Sequence, residues 1–351
     1  MSTVLVMPDA GRRAAGTFRM TSLYRLLRRV SRTFALSNSC LPRRFREPMT
    51  IAYLLFRVSD YLEDNTIFDS REKARHLRLW AQIATGDATG AAAESYAARS
   101  ELSAALDSID DCEDAELEAA RRFPELLEHL DRLPEHSREA IRDHLRESTL
   151  GMARWQEWGP DVRTISHLDD YMHQVAGIVG LMINEVFSQV SSLLRLRMRG
   201  APRLAREYGL GLQAVNIIRG LKKDSDRGWS YVPRQLCAEF GLEPEQLLDE
   251  GSETLSLEVV GRLIDMAESH LYDGLLFVLR MPRLLYRVRL ATSWPLLFAA
   301  RTLAISRRNP KVLTGEAKIT RKEVRRIIRH TAVMSWSNRW MKKYYRDLLG
   351  A

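Results

Sequence analysis

Asp60 and Asp64 stand four residues apart in the run Tyr53-Leu54-Leu55-Phe56-Arg57-Val58-Ser59-Asp60-Tyr61-Leu62-Glu63-Asp64. On a helix that spacing puts both carboxylates on one face, with Arg57 one turn before Asp60 and Tyr53 one turn before Arg57. Carboxylates on successive turns can share Mg²⁺, a hard cation that takes oxygen ligands and completes its shell with phosphate and water oxygens. Glu63 adds a third carboxylate beside them. Arg57 on the same stripe would grip a phosphate directly through charge-assisted hydrogen bonds. Taken alone, so short a pattern is more often a solvated face with an Arg–Asp ion pair.

A second stripe lies in Gln213-Ala214-Val215-Asn216-Ile217-Ile218-Arg219-Gly220-Leu221-Lys222-Lys223-Asp224. Asn216, Gly220 and Asp224 recur at helical spacing, with Gln213 one turn earlier. Polar groups on an otherwise apolar helix cost stability when buried unless they are paired or bind something. The two stripes together suggest two facing helices that clamp a Mg²⁺-bound diphosphate.

Helices must carry both stripes, and the rest of the chain agrees. Apolar residues recur at i, i+3, i+4 and i+7 almost throughout, and strand-like alternation is scarce, so the fold class is all-α. The 351 residues show no repeat and no Pro- or Gly-rich linker, which favours a single helical domain over residues 21–351 behind an N-terminal extension at 1–20. Helices are expected at 50–62, 138–158, 167–195, 203–223, 256–279, 284–307 and 320–349. The Ala/Ser-rich stretch 86–118, ending in the acidic cluster of Asp110, Asp111, Glu113 and Asp114, reads as a surface insertion or a loose helix pair.

A net charge of +8 points to anionic partners. No motif supports nucleic acid. Cys40, Cys112 and Cys237 form no metal or disulfide pattern, so a reducing cytoplasm is expected. No apolar run is long enough to span a bilayer. The basic amphipathic stretches 23–29 and 321–330 are candidates for reversible contact with a membrane surface, or else ordinary solvated faces.

Five blocks in order resemble the squalene/phytoene synthase family: Ser31-Arg32-Thr33-Phe34, the Tyr53–Asp64 run, Tyr171 to Gly180, Leu212 to Arg219, and Gly315 to Lys322. The last looks most like the squalene synthase branch. The resemblance implies an isoprenoid synthase fold around a central apolar cavity. It also implies condensation of two prenyl diphosphates, expected to be farnesyl diphosphate, through a cyclopropylcarbinyl diphosphate. Carried over residue by residue, Asp60, Glu63, Asp64, Asn216 and Asp224 would hold Mg²⁺. Ser31, Arg32, Tyr53, Arg57 and Gln213 would line the diphosphate end, and Tyr171 would assist ionisation or proton transfer. Arg219, Lys318 and Arg321 match positions tied to NADPH, which the squalene branch uses and phytoene-type members do not. The apolar walls would come from 175–187 and from Trp294-Pro295-Leu296-Leu297-Phe298.

The second stripe departs from the family. Gly220 stands where the family has Asp, Lys223 where it usually has an acidic residue, and Trp229 where it often has Arg. These changes should weaken Mg²⁺ binding there and leave Lys222 or Lys223 to meet diphosphate. Three readings stay open: a head-to-head synthase making squalene or a related thirty-carbon product, a one-substrate enzyme that cyclises or hydrolyses a single prenyl diphosphate, and a non-enzymatic relative. Substrate length and oligomeric state are not legible from the sequence.

Overall fold

The computed structural model describes residues 20–86, 92–111 and 113–350. The expected N-terminal extension, apart from Met20, lies outside them, as does Cys112. The described residues are helical apart from turns and one isolated bridge, Asp161 to Ser230. The first wall is built by α1 (Met20–Val30), α2 (Arg32–Cys40) and α3 (Arg43–Asp64). Behind it lie α4 (Ser70–Thr85), α5 (Ala92–Asp107), α6 (Ala115–Arg121), α7 (Phe123–Asp131) and α8 (Glu135–Trp158). The chain returns through α9 (Ile165–Met172), a π-helical turn at His173–Gly177, α10 (Ile178–Val190) and α11 (Ser192–Met198). The second wall is α12 (Pro202–Asp226), followed by α13 (Arg234–Ala238), α14 (Glu253–Arg280), α15 (Tyr286–Ser306), α16 (Arg321–Met334) and α17 (Asn338–Leu349).

The rotation of α3 is fixed from behind. Leu54, Leu55, Val58 and Leu62 are buried, and the buried Ser59 hydroxyl meets Thr149 Oγ1 at 2.7 Å and accepts from Trp80 Nε1 at 3.1 Å. With that face committed to the core, the stripe of Tyr53, Arg57, Asp60 and Asp64 turns the other way. The approach of α10 to α12 depends on two glycines. A Cβ at Gly180 would sit 2.1 Å from the Ala205 carbonyl oxygen, and one at Gly209 would sit 2.2 Å from that of Ala176. Larger residues would force the backbones apart.

Several helices differ from the sequence expectation. The helix expected from Thr50 begins at Arg43, and Pro48 lies inside it, buried with Phe45 and Met49; local packing outweighs the one hydrogen bond that proline removes. The stretch 167–195 is interrupted by the π-turn and by extended backbone at Ser191. The stretch 320–349 breaks at 335–337, where the Ser337 hydroxyl caps Trp340 N–H at 3.2 Å. The insertion reading of 86–118 is corrected too. Ala98, Leu102 and Leu106 of α5 are buried, Asp114 caps α6, and Glu116 reaches Arg57.

The apolar face of the basic stretch 23–29 is packed into the core through Leu23, Leu26 and Leu27. In α16, Ile327 is buried and Val324 and Ile328 pack against the core. Neither helix has an apolar stripe free to enter a lipid surface. Among the described residues no helix is long and apolar enough to cross a membrane. A buried Arg289 ties the start of α15 to the α16–α17 turn, donating to the Ser335 carbonyl at 2.6 Å and the Met281 carbonyl at 2.9 Å.

Candidate active site

A cavity of about 460 Å³ lies between α2 and α3 on one side and α10 and α12 on the other, with α15 across one end. Its floor is apolar: Leu41, Met49, Phe187, Phe277 and Ala291 line it, with Tyr208, whose hydroxyl donates to the Thr292 carbonyl at 2.6 Å. Its mouth is charged, formed by Arg57, Asp60, Glu63 and Asp64 from the first wall and Lys223, Asp224 and Arg227 from the second. From Met49 to Asp60 along α3 is about 16 Å at the helical rise of roughly 1.5 Å per residue. The cavity thus has a polar end and a long greasy end, the shape of an amphiphile with a charged head.

Arg57 holds the first wall's charges together. Its Nη1 lies 3.3 Å from Asp60 Oδ2 and 3.4 Å from Glu116 Oε1, and its Nε donates to Tyr53 Oη at 3.2 Å. Tyr53 in turn stacks on Phe34 with centroids 3.9 Å apart. Burial opposes the charge on Arg57, but Asp60, Tyr53 and Glu116 together more than offset it, so the guanidinium stays protonated. Asp60 is pushed up to about 6, chiefly by burial and further by Asp64 and Glu116, against the pull of Arg57. Glu63 is raised well above the usual carboxylate range by burial and by Asp64 and Asp60, and its buried Oε1 has no hydrogen-bond partner.

A crowded, under-neutralised carboxylate group with an orphaned buried oxygen is chemically suited to a hard divalent cation. Among the described residues no three His, Cys, Asp or Glu side chains converge into a complete metal cage. The second wall fits less well. Asn216 Nδ2 donates to Gln213 Oε1 at 3.2 Å, and Asp224 is its one carboxylate lining the cavity, engaged by Arg227 Nη2 at 2.6 Å.

The structure brings Tyr53, Arg57, Asp60, Glu63, Asp64, Tyr171, Gln213, Asn216, Lys223 and Asp224 to one cavity. Ser31 and Arg32 sit just outside it: Ser31 caps α2 by accepting from Phe34 N–H at 3.2 Å, and Arg32 is exposed. Lys222 is not in the lining; its ammonium pairs with Asp226 on the outer face. Arg219, Lys318 and Arg321 are exposed, and the Gly315 turn passes against α12, where an added Cβ would lie 3.9 Å from the Arg219 carbonyl oxygen. The 175–187 wall lines the cavity as expected, but of Trp294–Phe298 only Pro295 does. Trp294 turns away and donates from Nε1 to Thr331 Oγ1 at 2.9 Å.

Three contributors were not singled out from the sequence. Arg227 and Tyr231 lie in the loop leaving α12, and Glu116 comes from α6. Arg227 follows Asp224 at helical i+3 spacing, a signal present in the sequence. Tyr231 and Glu116 are joined to the site only by tertiary packing. Tyr171, fully buried, stacks on Tyr231 at 4.3 Å and meets Trp155 edge-on at 5.6 Å. Burial and the nearby Glu63 raise its hydroxyl well above the usual tyrosine range, so it is a neutral donor at physiological pH.

Comparison with known proteins agrees with this geometry. The squalene/phytoene synthase family model matches residues 27–323. Squalene synthase of Schizosaccharomyces pombe is 25% identical over 330 residues, covering 93% of this chain and 68% of that protein. Squalene synthase 1 of Arabidopsis thaliana is 26% identical over 320 residues, covering 89% and 71%. The same plant's inactive squalene synthase 2 is 25% identical over 317 residues, covering 89% and 70%. The chain spans between 61% and 71% of the length of such relatives. The solved complex of TcSQS with the ligand BPH1237 superposes with a TM-score of 0.78 at 23% identity, covering 94% of this chain and 91% of that one. A dehydrosqualene synthase complex gives 0.61 at 17%, covering 89% and 95%. With its helical fold, its cavity and a family match across most of its length, the chain belongs to the squalene/phytoene synthase family, a family of prenyltransferases.

Proposed function

We propose that the protein condenses two prenyl diphosphates head to head, with farnesyl diphosphate as the expected substrate, through a cyclopropylcarbinyl diphosphate to squalene or a related thirty-carbon product. The observation that carries this reading is the single cavity that joins a long apolar floor to a mouth holding Arg57, Asp60, Glu63 and Asp64. Asp60, Glu63 and Asp64 would hold Mg²⁺, which supplies positive charge to the departing diphosphate. Arg57 would add a guanidinium to stabilise the same leaving group. The allylic cation left behind needs walls that exclude water, and Phe187, Met182, Val179 and Phe277 supply them. Tyr171, neutral and lining the same cavity, would assist ionisation or proton transfer. NADPH would lie against Arg219, Lys318 and Arg321, beside the Gly315 turn.

Incubation with farnesyl diphosphate and Mg²⁺, with and without NADPH, tests the reading: squalene formed only with NADPH supports it, and a fifteen-carbon product alone contradicts it. The one-substrate reading is favoured by one observation, the altered second wall with Gly220, Lys223 and a guanidinium engaged on Asp224. It would yield a fifteen-carbon alcohol or cyclic hydrocarbon.

Reversible contact with an anionic lipid surface is part of this proposal, through a patch other than the two basic stretches. Leu284 (88% exposed), Val333 (67%) and Trp336 (53%) flank the point where Tyr286 Oη donates to the Ala332 carbonyl at 2.5 Å and Arg289 joins the turn. No Asp or Glu occurs in 274–315 or 324–346, and the exposed Arg280, Arg283, Arg287 and Arg339 of these segments give them a net positive charge. Arg287 Nε donates to the Cys40 carbonyl at 2.7 Å, next to Leu41 of the cavity floor. Exposed apolar tips on segments of net positive charge suit the interface of an anionic bilayer.

A further inference from the structure

We infer that Arg227 is a built-in cation of the diphosphate site, standing between the two walls in place of a divalent ion. This rests on the prenyl diphosphate reading above and goes beyond it. Arg227 ends α12, and its Nη1 lies 2.6 Å from Asp64 Oδ1 while its Nη2 lies 2.6 Å from Asp224 Oδ1. Nη1 also donates to the Asp64 backbone carbonyl at 3.2 Å, which ties the guanidinium to the last residue of α3. One planar group therefore joins a carboxylate from each wall across the mouth. A metal ion shared between the same carboxylates would have to displace it.

The surrounding residues are consistent with that substitution. Gly220 offers no carboxylate, and Lys223 brings an ammonium into the lining. The mouth thus sets Arg57, Lys223 and Arg227 against Asp60, Glu63, Asp64 and Asp224, three cations against four anions. A second wall built for divalent ions needs surplus carboxylate there, and this one lacks it. Arg227 lines the cavity mouth and keeps its Nε buried with no hydrogen-bond partner. A diphosphate oxygen is the chemistry that would complete it, because guanidinium forks match phosphate geometry. On the second wall, diphosphate is therefore received by Arg227 and Lys223, and divalent ions are confined to the carboxylates of the first wall.

Inorganic pyrophosphate and Mn²⁺ provide the test, read by calorimetry and by the electron paramagnetic resonance of bound Mn²⁺. Chelator-stripped protein is expected to bind pyrophosphate without any metal. Arg227→Gln should weaken that metal-free binding by about tenfold to a hundredfold, the loss of charge-assisted hydrogen bonds. The same variant should take up more Mn²⁺ per protein when pyrophosphate is present, because Asp64 and Asp224 are released. Arg227→Lys should restore part of the metal-free binding and none of the bidentate geometry. A thermal melt of each variant separates these outcomes from unfolding, and Lys223→Gln, whose ammonium bridges no carboxylates, gives a second measure of metal-free binding should Arg227→Gln not fold. Pyrophosphate binding that requires metal in the parent protein, or metal-free affinity and Mn²⁺ stoichiometry unmoved in Arg227→Gln and Lys223→Gln, overturns the inference and leaves the prenyl diphosphate reading standing. No pyrophosphate binding at any metal concentration overturns that reading instead.

Discussion

Tyr171 lies face to face on Tyr231, their ring centroids 4.3 Å apart and their planes within 19° of parallel. The pair stands where the charged mouth meets the apolar floor. Stacking fixes the Tyr171 ring, while burial and Glu63 keep its hydroxyl protonated. This makes Tyr171 a positioned donor rather than a phenolate base in the resting protein.

Tyr171→Phe keeps the stack and removes only the hydroxyl. Turnover should fall by about a hundredfold or more, the usual worth of a positioned acid–base group. Stability should change by about 1 kcal/mol or less, the net worth of one hydrogen bond. Tyr231→Phe should cost much less turnover. Steady-state kinetics beside a thermal melt decide this, and undiminished turnover in Tyr171→Phe would remove that residue from the chemistry.

Asp60→Asn should trade stability against function. The folded protein holds Asp60 near pH 6, above its unfolded value, so the folded state binds more protons in that window. Stability from this group is therefore greatest below the unfolded value and declines as pH rises from about 4 to about 6. In chelator at pH 8 the neutral variant should melt higher than the parent, by on the order of 1–3 °C. At pH 4 the two should converge. Turnover should fall by at least about a thousandfold, because the proposed Mg²⁺ would lose a carboxylate. A variant that melts lower at pH 8 would show that Asp60 is not a strained carboxylate.

Replacing Leu284 and Trp336 together by Ser should weaken docking to vesicles of anionic phospholipid by about tenfold or more. Each side chain brings about 1.5–3 kcal/mol if it is fully withdrawn from water, so partial insertion of both corresponds to about tenfold or more in affinity. Neither residue lines the cavity, so turnover in detergent should be unchanged. Sedimentation with anionic and with uncharged vesicles measures this. Equal binding by parent and variant would place the contact elsewhere.

The fold class was legible because helical periodicity pervades the chain. The Tyr53–Asp64 stripe was legible because one face of α3 is apolar and the other is not. Helix breaks were less so. The π-turn at His173–Gly177 and the turn at 335–337 interrupt patterns whose periodicity continues across them. The basic amphipathic stretch at 23–29 reads as a membrane contact or a solvated face, and only packing reveals that Leu23, Leu26 and Leu27 are core residues. Glu116 was hidden for a different reason. It sits beside an acidic run that reads as solvated, and nothing local signals its reach to Arg57 across 59 residues of chain. Arg227 could have been found, since its spacing from Asp224 is helical. Its bridge to Asp64 needed both walls in place.

The most direct measurement is mass analysis of the phosphorylated products from farnesyl diphosphate and Mg²⁺ with NADPH withheld. A thirty-carbon cyclopropylcarbinyl diphosphate, lost in Asp60→Asn, is the result expected of a head-to-head synthase. Conversion of the substrate to a fifteen-carbon alcohol or hydrocarbon, with no thirty-carbon diphosphate at any time point, would contradict it.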